Sequence, residues 1–338
     1  MTDMMAEEYA TIGLVVIGMA GSGKSTFVSS FARYLKDKTG NLPFLVNLDP
    51  AVLELDYRPN VDIRKSIDYL KLMEQYNLGP NGAIITGLNL YATSFNEVIK
   101  FIKNRKSKTK YVIFDTPGQI EVFNWSASGS VITQSLSSIF PTIIIYIADT
   151  SKCTNPTTFM ANMTHSCSIL YKYQLPFVLA FNKTDQTDAA FALEWMQDFE
   201  AYGKALDSVE TYISNLNRSL SLVLDTFYEN ISHVTISAKT SSGYNDLFEK
   251  IGNGVIEYHD RIAPYIGKGL SEDSSSEKRP KGIHSSEADE TNNLIPSVPT
   301  LSEEFDAESE GEEDLELPQF SRVLNEKEVE DRMKNFKI

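Results

Sequence analysis

The chain has 338 residues, 42% of them hydrophobic, and its 46 acidic against 31 basic residues give a formal net charge of −15. Such acidity disfavours binding to bare nucleic acid, and no apolar run approaches the roughly 18 residues of a membrane-spanning helix. Cys153 and Cys167 show no metal-binding spacing and predict reduced thiols, and the N-terminus has no basic segment typical of a signal peptide, so we expect a cytoplasmic or nuclear location.

The N-terminal segment predicts a phosphate-binding loop between a strand and a helix. Residues 11–17 are apolar and rich in β-branched side chains, as in a buried parallel strand. The next eight residues, GMAGSGKS at 18–25, match the phosphate-loop pattern G-x-x-x-x-G-K-S, and helical spacing continues to Lys38. Lys24 would reach the β- and γ-phosphates, and the Ser25 hydroxyl would ligate Mg²⁺. The predicted phosphate-binding residues are Gly21, Ser22, Gly23, Lys24, Ser25 and Thr26.

The interval after this loop predicts a second strand, a helix and a turn. Residues 43–48 predict a strand followed by Asp49, and amphipathic spacing predicts a helix from about Val61 to Tyr76. The tripeptide Gly79-Pro80-Asn81 by itself indicates a turn.

A third strand is predicted over residues 110–115, and it ends in an acid. Asp115 is placed to hold Mg²⁺ through a water molecule, although a strand-end cap is the alternative reading of this residue. The Gly118 N–H would sense the γ-phosphate. Gln119 and Glu121 follow on a segment able to move when that phosphate leaves.

Three further strands, at 141–149, 175–181 and 233–237, lead to a base-recognition sequence. Residues 140–148 are the most apolar and predict a central strand. The sequence NKTD at 182–185 follows a strand, where α/β sheets bind their ligands. The Asp185 carboxylate can accept hydrogen bonds from the N1–H and 2-amino groups of guanine, whereas adenine has neither donor. We therefore expect GTP or GDP to be bound by Gly118, Asn182, Lys183, Asp185 and, in a loop closing over the base, Ser237 and Ala238.

The alternation of strand and helix patterns predicts an α/β fold of the P-loop NTPase type, with a mainly parallel sheet flanked by helices. Residues 1–268 would form this domain, with a helical insertion at about 187–231. Residues 269–338 hold 19 acidic and 8 basic residues and lack the apolar side chains of a core, which predicts a largely disordered acidic tail. Helical spacing returns at about 324–336 and favours a short helix there.

The chain resembles the GPN-loop GTPases, which are named for the tripeptide at Gly79–Asn81. Further matching segments are GMAGSGKS at 18–25, NLDPAV at 47–52, DTPGQIE at 115–121, WSASG at 125–129 and FNKTD at 181–185. The resemblance covers about residues 10–265 and implies a Mg²⁺-dependent GTP hydrolase of the dimeric GTPase/ATPase-like class. It is strongest to the first eukaryotic paralogue, which implies a role in assembly and nuclear import of RNA polymerase II and shuttling between cytoplasm and nucleus.

The same resemblance implies roles for individual residues and partners. The working form would be a homodimer or a heterodimer with a paralogue, in which Asn81 of one subunit lies near the γ-phosphate of the other. Asp49 is the first candidate to orient or activate the attacking water, although a cap for the turn into Pro50 is the alternative reading of this residue. Gln119 and Glu121 are the second candidates, while Lys24 stabilises developing charge. Expected partners are RNA polymerase II subunits or assembly factors, without direct binding to nucleic acid or membrane.

Two functional hypotheses from different classes stay open. In one, the protein is a GTPase that acts as a dimeric nucleotide switch or chaperone-like factor. In the other, it is a GTP-binding assembly scaffold with negligible turnover. A nucleotide kinase would share the phosphate loop, but it would not need Asn182 and Asp185.

Overall fold

A computed structural model describes residues 11–104, 109–207, 212–224, 227–228 and 231–266. Its strands form one seven-stranded sheet in the order β3-β2-β4-β1-β5-β6-β7, with every neighbouring pair parallel. The strands are β1 (Ile12–Gly18), β2 (Phe44–Asn47), β3 (Val61–Asp62), β4 (Tyr111–Asp115), β5 (Thr142–Asp149), β6 (Phe177–Asn182) and β7 (Ser232–Thr235). The predicted α/β fold with a mainly parallel sheet is confirmed.

Helices connect the strands and cover both faces of the sheet. They are α1 (Lys24–Thr39), α2 (Tyr69–Tyr76), α3 (Pro80–Thr93), α4 (Phe95–Asn104), α5 (Ile120–Asn124), α6 (Ala127–Ser137), α7 (Thr150–Cys153), α8 (Pro156–Tyr173), α9 (Ala190–Gln197), α10 (Phe199–Asp207), α11 (Tyr212–Val223), α12 (Tyr244–Arg261) and α13 (Ala263–Ile266). The helices α9, α10 and α11 lie in the segment for which the sequence predicts a helical insertion. The segment predicted as an acidic tail, 269–338, with its short helix at 324–336, lies outside the described residues.

The alternation of side chains along β1 divides the core into two clusters. Leu14 and Val16 pack in one cluster with α1 and α12, whereas Val15 and Ile17 belong to the other cluster, with α3, α4 and α6. All eight residues of β5 are buried, and this strand lies between β1 and β6. The most apolar strand is therefore interior as predicted, although the middle strand of the seven is β1.

The predicted helix from Val61 to Tyr76 is wrong in its first half. Val61 and Asp62 pair with the end of β2 as the edge strand β3, and a 3₁₀ turn over Ile63–Lys65 follows. Asp62 accepts a hydrogen bond from the Arg64 N–H, and Asp68 then caps the N-terminus of α2. Apolar spacing alone did not reveal these two acidic caps, each of which starts a separate element.

No helix in the described ranges is long and apolar enough to cross a membrane. Within the same ranges, no group of three or more His, Cys, Asp or Glu side chains is arranged to hold a metal ion.

Candidate nucleotide-binding site

The phosphate loop joins the end of β1 to the start of α1. Gly21 and Gly23 have φ values of 76° and 88°, a region that favours glycine. A Cβ on Gly18 would lie 2.4 Å from the carbonyl oxygen of Ile147 in β5, so a side chain does not fit there. Only a glycine-rich sequence can make this turn and direct its backbone N–H groups inward at the head of a helix.

Lys24 lies buried at the centre of the loop. Its Nζ donates hydrogen bonds to the carbonyl oxygens of Gly18 (2.8 Å), Met19 (3.0 Å) and Gly118 (3.3 Å). Burial lowers the pKa of Lys24 to about 8, although the charges of nearby carboxylates oppose this shift. The loop therefore holds a desolvated ammonium group where phosphate oxygens would interact with it most strongly.

Asp115 is buried at the carboxyl end of β4. Its Oδ2 accepts a hydrogen bond from the Tyr57 hydroxyl at 2.9 Å, whereas its Oδ1 is buried and has no hydrogen-bond partner in the described part of the chain. Burial raises the pKa of Asp115 to about 6, with the Ser25 and Tyr57 hydroxyls acting in the opposite direction. A partnerless buried carboxylate oxygen beside a serine hydroxyl is an oxygen donor set that fits Mg²⁺.

Asp49 meets Gly118 because β2 and β4 are neighbours in the sheet. Asp49 Oδ2 accepts a hydrogen bond from the Gly118 N–H at 3.1 Å, and its Oδ1 accepts one from the Ala51 N–H at 2.9 Å. The structure thus brings Lys24, Asp49, Asp115 and Gly118 together at the carboxyl edge of the sheet, where the sequence predicts the phosphates and the metal.

Asn182 connects the phosphate loop with the predicted base-binding loop. It is fully buried; its Nδ2 donates to the carbonyl of Ser22 at 2.9 Å, and its Oδ1 accepts from the Ala238 N–H at 2.9 Å. Asp185 is exposed, and its Oδ1 accepts a hydrogen bond from the buried Ser237 hydroxyl at 2.7 Å. The carboxylate predicted to recognise guanine is therefore oriented by its own companion loop.

Lys183 ties the same region to β5. Its φ is 69°, and its Nζ contacts the Gly21 carbonyl (2.8 Å) and Asp149 Oδ2 (2.7 Å). Burial acts to raise the pKa of Asp149, but hydrogen bonds from Lys183 and Ser151 outweigh it and hold that pKa below its ordinary value. The phosphate loop is thus fixed by an ion pair as well as by Asn182.

Three predicted catalytic residues form no hydrogen bond with the carboxylates or the lysine of this site. The side chains of Gln119, Glu121 and Asn81 are exposed, and among the described residues none of them forms a hydrogen bond with Lys24, Asp49 or Asp115.

The structure also adds residues that the sequence analysis missed. Tyr57 comes from an irregular loop and carries no recognisable sequence signal, whereas Asp149 ends an apolar strand just as Asp115 does, a signal that could have identified it. Thr26, predicted to bind phosphate, donates a long 3.5 Å hydrogen bond from its side chain to Asp56, in the same loop as Tyr57.

Comparisons with known proteins identify similar chains. Residues 16–256 match a family described as conserved hypothetical ATP binding protein. A protein named GPN-loop GTPase 1 from Dictyostelium discoideum is 50% identical over 249 residues, which cover 73% of this chain and 62% of the relative. GPN-loop GTPase 1 from Saccharomyces cerevisiae is 47% identical, with 72% and 66% covered. The match thus spans less than two thirds of both relatives.

A longer match and a solved structure extend this similarity. GPN-loop GTPase 1 from Schizosaccharomyces pombe is 37% identical over 353 aligned residues, covering 99% of this chain and 94% of that protein. The crystal structure of a GTPase in apo form from Pyrococcus abyssi superimposes with a TM-score of 0.63 and 26% identity, covering 73% of this chain and 98% of that one.

Proposed function

The chain belongs to the GPN-loop GTPase family, and from this premise we propose that it binds GTP with Mg²⁺ and hydrolyses it to GDP and phosphate. The observation that carries the proposal is one continuous site along the carboxyl edge of the sheet. Asp115 and Lys24 lie at its phosphate end, Asn182 bridges its middle, and Asp185 on Ser237 forms its base end.

The base end favours guanine over adenine. Ser237 Oγ accepts a hydrogen bond from the Thr240 N–H, so its own proton is directed to Asp185 Oδ1. The remaining lone pairs of Asp185 face two donors on guanine, whereas the N1 of adenine is an acceptor and would be repelled. Asp185 therefore favours GTP as the substrate, although the description of the matched family names ATP.

Hydrolysis requires a water to attack the γ-phosphorus while the bond to the β,γ-bridging oxygen breaks. Lys24 and the backbone N–H groups of the phosphate loop stabilise the charge that develops on the phosphate oxygens. Ser25 and Asp115 would hold Mg²⁺, which would further neutralise that charge. Asp49 orients the water and accepts its proton.

Gly118 gives this site a way to sense the γ-phosphate. Its N–H donates to Asp49 in the structure, and a γ-phosphate oxygen would compete for the same donor. Transfer of this hydrogen bond to the phosphate frees Asp49 Oδ2 to bind the water. Binding of the correct substrate thus prepares the catalytic carboxylate.

The same premise leads to a dimer, either of two copies of this chain or with a paralogue. Asn81 lies exposed on the first turn of α3, and a Cβ on the preceding Gly79 would meet nothing within 4 Å. An exposed amide at an open helix start is free to reach the γ-phosphate of a second subunit. If Asn81 acts in this way, GTP turnover per molecule rises with protein concentration in wild type but not in Asn81→Ala. Asn96→Ala, which changes another exposed asparagine, is the control and should behave as wild type. Equal concentration dependence in all three proteins would contradict the dimeric site.

The cellular role rests on the resemblance to the first eukaryotic paralogue. The protein would act as a dimeric nucleotide switch or chaperone-like factor in assembly and nuclear import of RNA polymerase II, shuttling between cytoplasm and nucleus. Capture of purified polymerase subunits by the GTP-analogue form and not by the GDP form supports this role, whereas equal capture or none contradicts it.

Phosphate release from GTP by wild type and Asp49→Asn tests the hydrolysis itself. We expect turnover in wild type and at least about a hundredfold loss in the variant, with GDP affinity retained. GTP binding without measurable turnover at any protein concentration would instead favour the scaffold hypothesis.

A further inference from the structure

We propose that Arg64 is a positioning residue for hydrolysis, which fixes the Asp49 carboxylate through a hub formed by Arg64, Asp62 and Asn47. The inference rests on the proposed function, because Asp49 matters only if the site hydrolyses GTP. Arg64 lies outside the short motifs that carry the family resemblance, and among the described residues its side chain forms no hydrogen bond with the phosphate loop.

Arg64 contacts the loop between β2 and β3 a few residues beyond Asp49. Its Nη1 donates to the carbonyl oxygens of Val52 (3.1 Å) and Leu53 (3.0 Å). Its Nε and Nη2 form a fork on Asp62, with distances of 3.1 Å from Nε to each carboxylate oxygen and 2.7 Å from Nη2 to Oδ2. One planar guanidinium therefore joins two backbone carbonyls to a buried carboxylate, which a lysine cannot reproduce.

Asn47 carries the connection to the near end of the loop. Its Nδ2 donates to Asp62 Oδ1 at 2.9 Å and to the Asp49 carbonyl at 3.1 Å, while its Oδ1 accepts from the Asp49 N–H at 3.1 Å. Asn47 is fully buried, and Asp62 is 8% exposed. The backbone of Asp49 is thus held on both sides by one amide whose own orientation depends on Asp62.

Pro50 and Tyr57 anchor other parts of this loop, by burial and by a hydrogen bond to Asp115, whereas residues 53–54 lack apolar packing. Leu53 is 92% exposed, and Glu54 is exposed as well, so this part of the loop contributes no apolar side chain to the core. A loop with few buried contacts is normally mobile. The hub therefore acts together with the N–H groups of Gly118 and Ala51 in placing Asp49, and reacting groups lose rate steeply when displaced by about 1 Å.

The charges are arranged to keep the hub intact at neutral pH. Burial acts to raise the pKa of Asp62, but hydrogen bonds from Arg64 and Asn47 hold it below the ordinary value. The hydrogen bonds to Asp62 likewise raise the pKa of Arg64. Both partners stay ionised, so the fork persists throughout the range in which the enzyme would work.

The test compares Arg64→Lys with Arg218→Lys, which makes the same change in an exposed arginine–carboxylate pair between Arg218 on α11 and Asp207 on α10. We measure kcat and KM for GTP, GDP affinity, and hydrogen exchange of the 47–56 segment in the full chain. For Arg64→Lys we expect kcat about tenfold lower, KM and GDP affinity within about twofold, and faster exchange of the segment. Arg218→Lys should match wild type in all four measurements.

A double variant separates positioning from general damage to the fold. In an Asp49→Asn background, Arg64→Lys should lower the residual kcat by less than about twofold, because the group through which it acts has already been disabled. A tenfold loss in both backgrounds, an unchanged kcat in the single variant, or loss of GDP binding would overturn the inference.

The failure of the proposed function is recognised separately. If the wild-type protein binds GTP but does not hydrolyse it, the proposed hydrolysis is refuted. The hydrogen-exchange measurement would still test whether Arg64 fixes the loop, because it does not depend on turnover. Unaltered exchange of the 47–56 segment in Arg64→Lys would show that Arg64 does not fix this loop.

Discussion

Replacement of Asp185 by asparagine should convert guanine recognition into xanthine recognition. In the structure the Ser237 proton is committed to Asp185 Oδ1, because Ser237 Oγ already accepts from the Thr240 N–H. An asparagine at this position would therefore turn its carbonyl oxygen towards Ser237 and its amide N–H groups towards the base. Those N–H groups would oppose the 2-amino group of guanine, but they match the 2-oxo group of xanthine.

The size of this effect follows from the bonds that are lost. A hydrogen bond to a charged group contributes about 1.5–3 kcal/mol, and guanine would lose two of them. Asp185 is exposed, so we take the lower limit of about 3 kcal/mol, which corresponds to roughly a 150-fold weaker affinity for GTP. The 2-oxo group of XTP should gain about one neutral hydrogen bond, so the variant should prefer XTP to GTP.

Competition of GTP, XTP and ATP against a fluorescent GDP analogue measures all three affinities. Wild type should rank GTP far above XTP and ATP, and Asp185→Asn should rank XTP first. Asp188→Asn, which changes an exposed aspartate just beyond the base-recognition sequence, is the matched control and should behave as wild type. Unchanged GTP affinity in Asp185→Asn, or an equal loss for all three nucleotides, would refute this account of the base site.

Four further variants test other parts of the site. Lys24→Met should abolish GTP and GDP binding detectable by calorimetry, because the charge that would contact the phosphates is lost. Thermal unfolding should stay cooperative, because the substitution removes a desolvated charge. Retained nucleotide affinity would argue against phosphate binding by Lys24. Asn182→Ala removes two buried hydrogen bonds, so denaturant titration should show a free energy of unfolding about 2–4 kcal/mol lower, and a loss below about 0.5 kcal/mol would be inconsistent with the bridge. Gly18→Ala should lower the free energy of unfolding by about 1–3 kcal/mol and weaken GDP binding, because the alanine Cβ would clash with the Ile147 carbonyl oxygen. Wild-type stability and GDP affinity in this variant would show that the loop can accommodate a side chain there. Wild type should have a higher free energy of unfolding than Asp62→Asn, and this difference should be constant above about pH 5. The difference should vanish as the pH falls through the depressed pKa of Asp62. A difference that grows in acid would contradict the ion pair with Arg64.

Local sequence patterns were sufficient where the chemistry is local. The phosphate loop is one example. All the signals that predict it lie within thirty residues: the apolar run of β1, the glycines of the loop, and Gly40, which ends α1 with φ 73°. The same holds for Asn182 and Asp185, because a strand end followed by a polar sequence places both at the ligand edge of a parallel sheet.

The parts that could not be predicted depend on contacts between distant segments. Tyr57 reaches Asp115 across 58 positions, and Lys183 reaches Asp149 across 34. Neither contact leaves a periodic pattern in the sequence. The edge strand β3 was missed because two residues paired with β2 carry too little alternation to be separated from a helical pattern that continues into α2.

Selectivity for GTP over ATP in hydrolysis depends on both ends of the proposed site, from Lys24 to Asp185. We would measure kcat/KM for GTP and for ATP with the full chain, in Mg²⁺ and again after its removal with a chelator. The account predicts GTP turnover favoured over ATP by at least about a hundredfold and lost without Mg²⁺. Equal turnover of the two nucleotides, or a preference for ATP, would contradict the assignment of Asp185 and with it the proposed function.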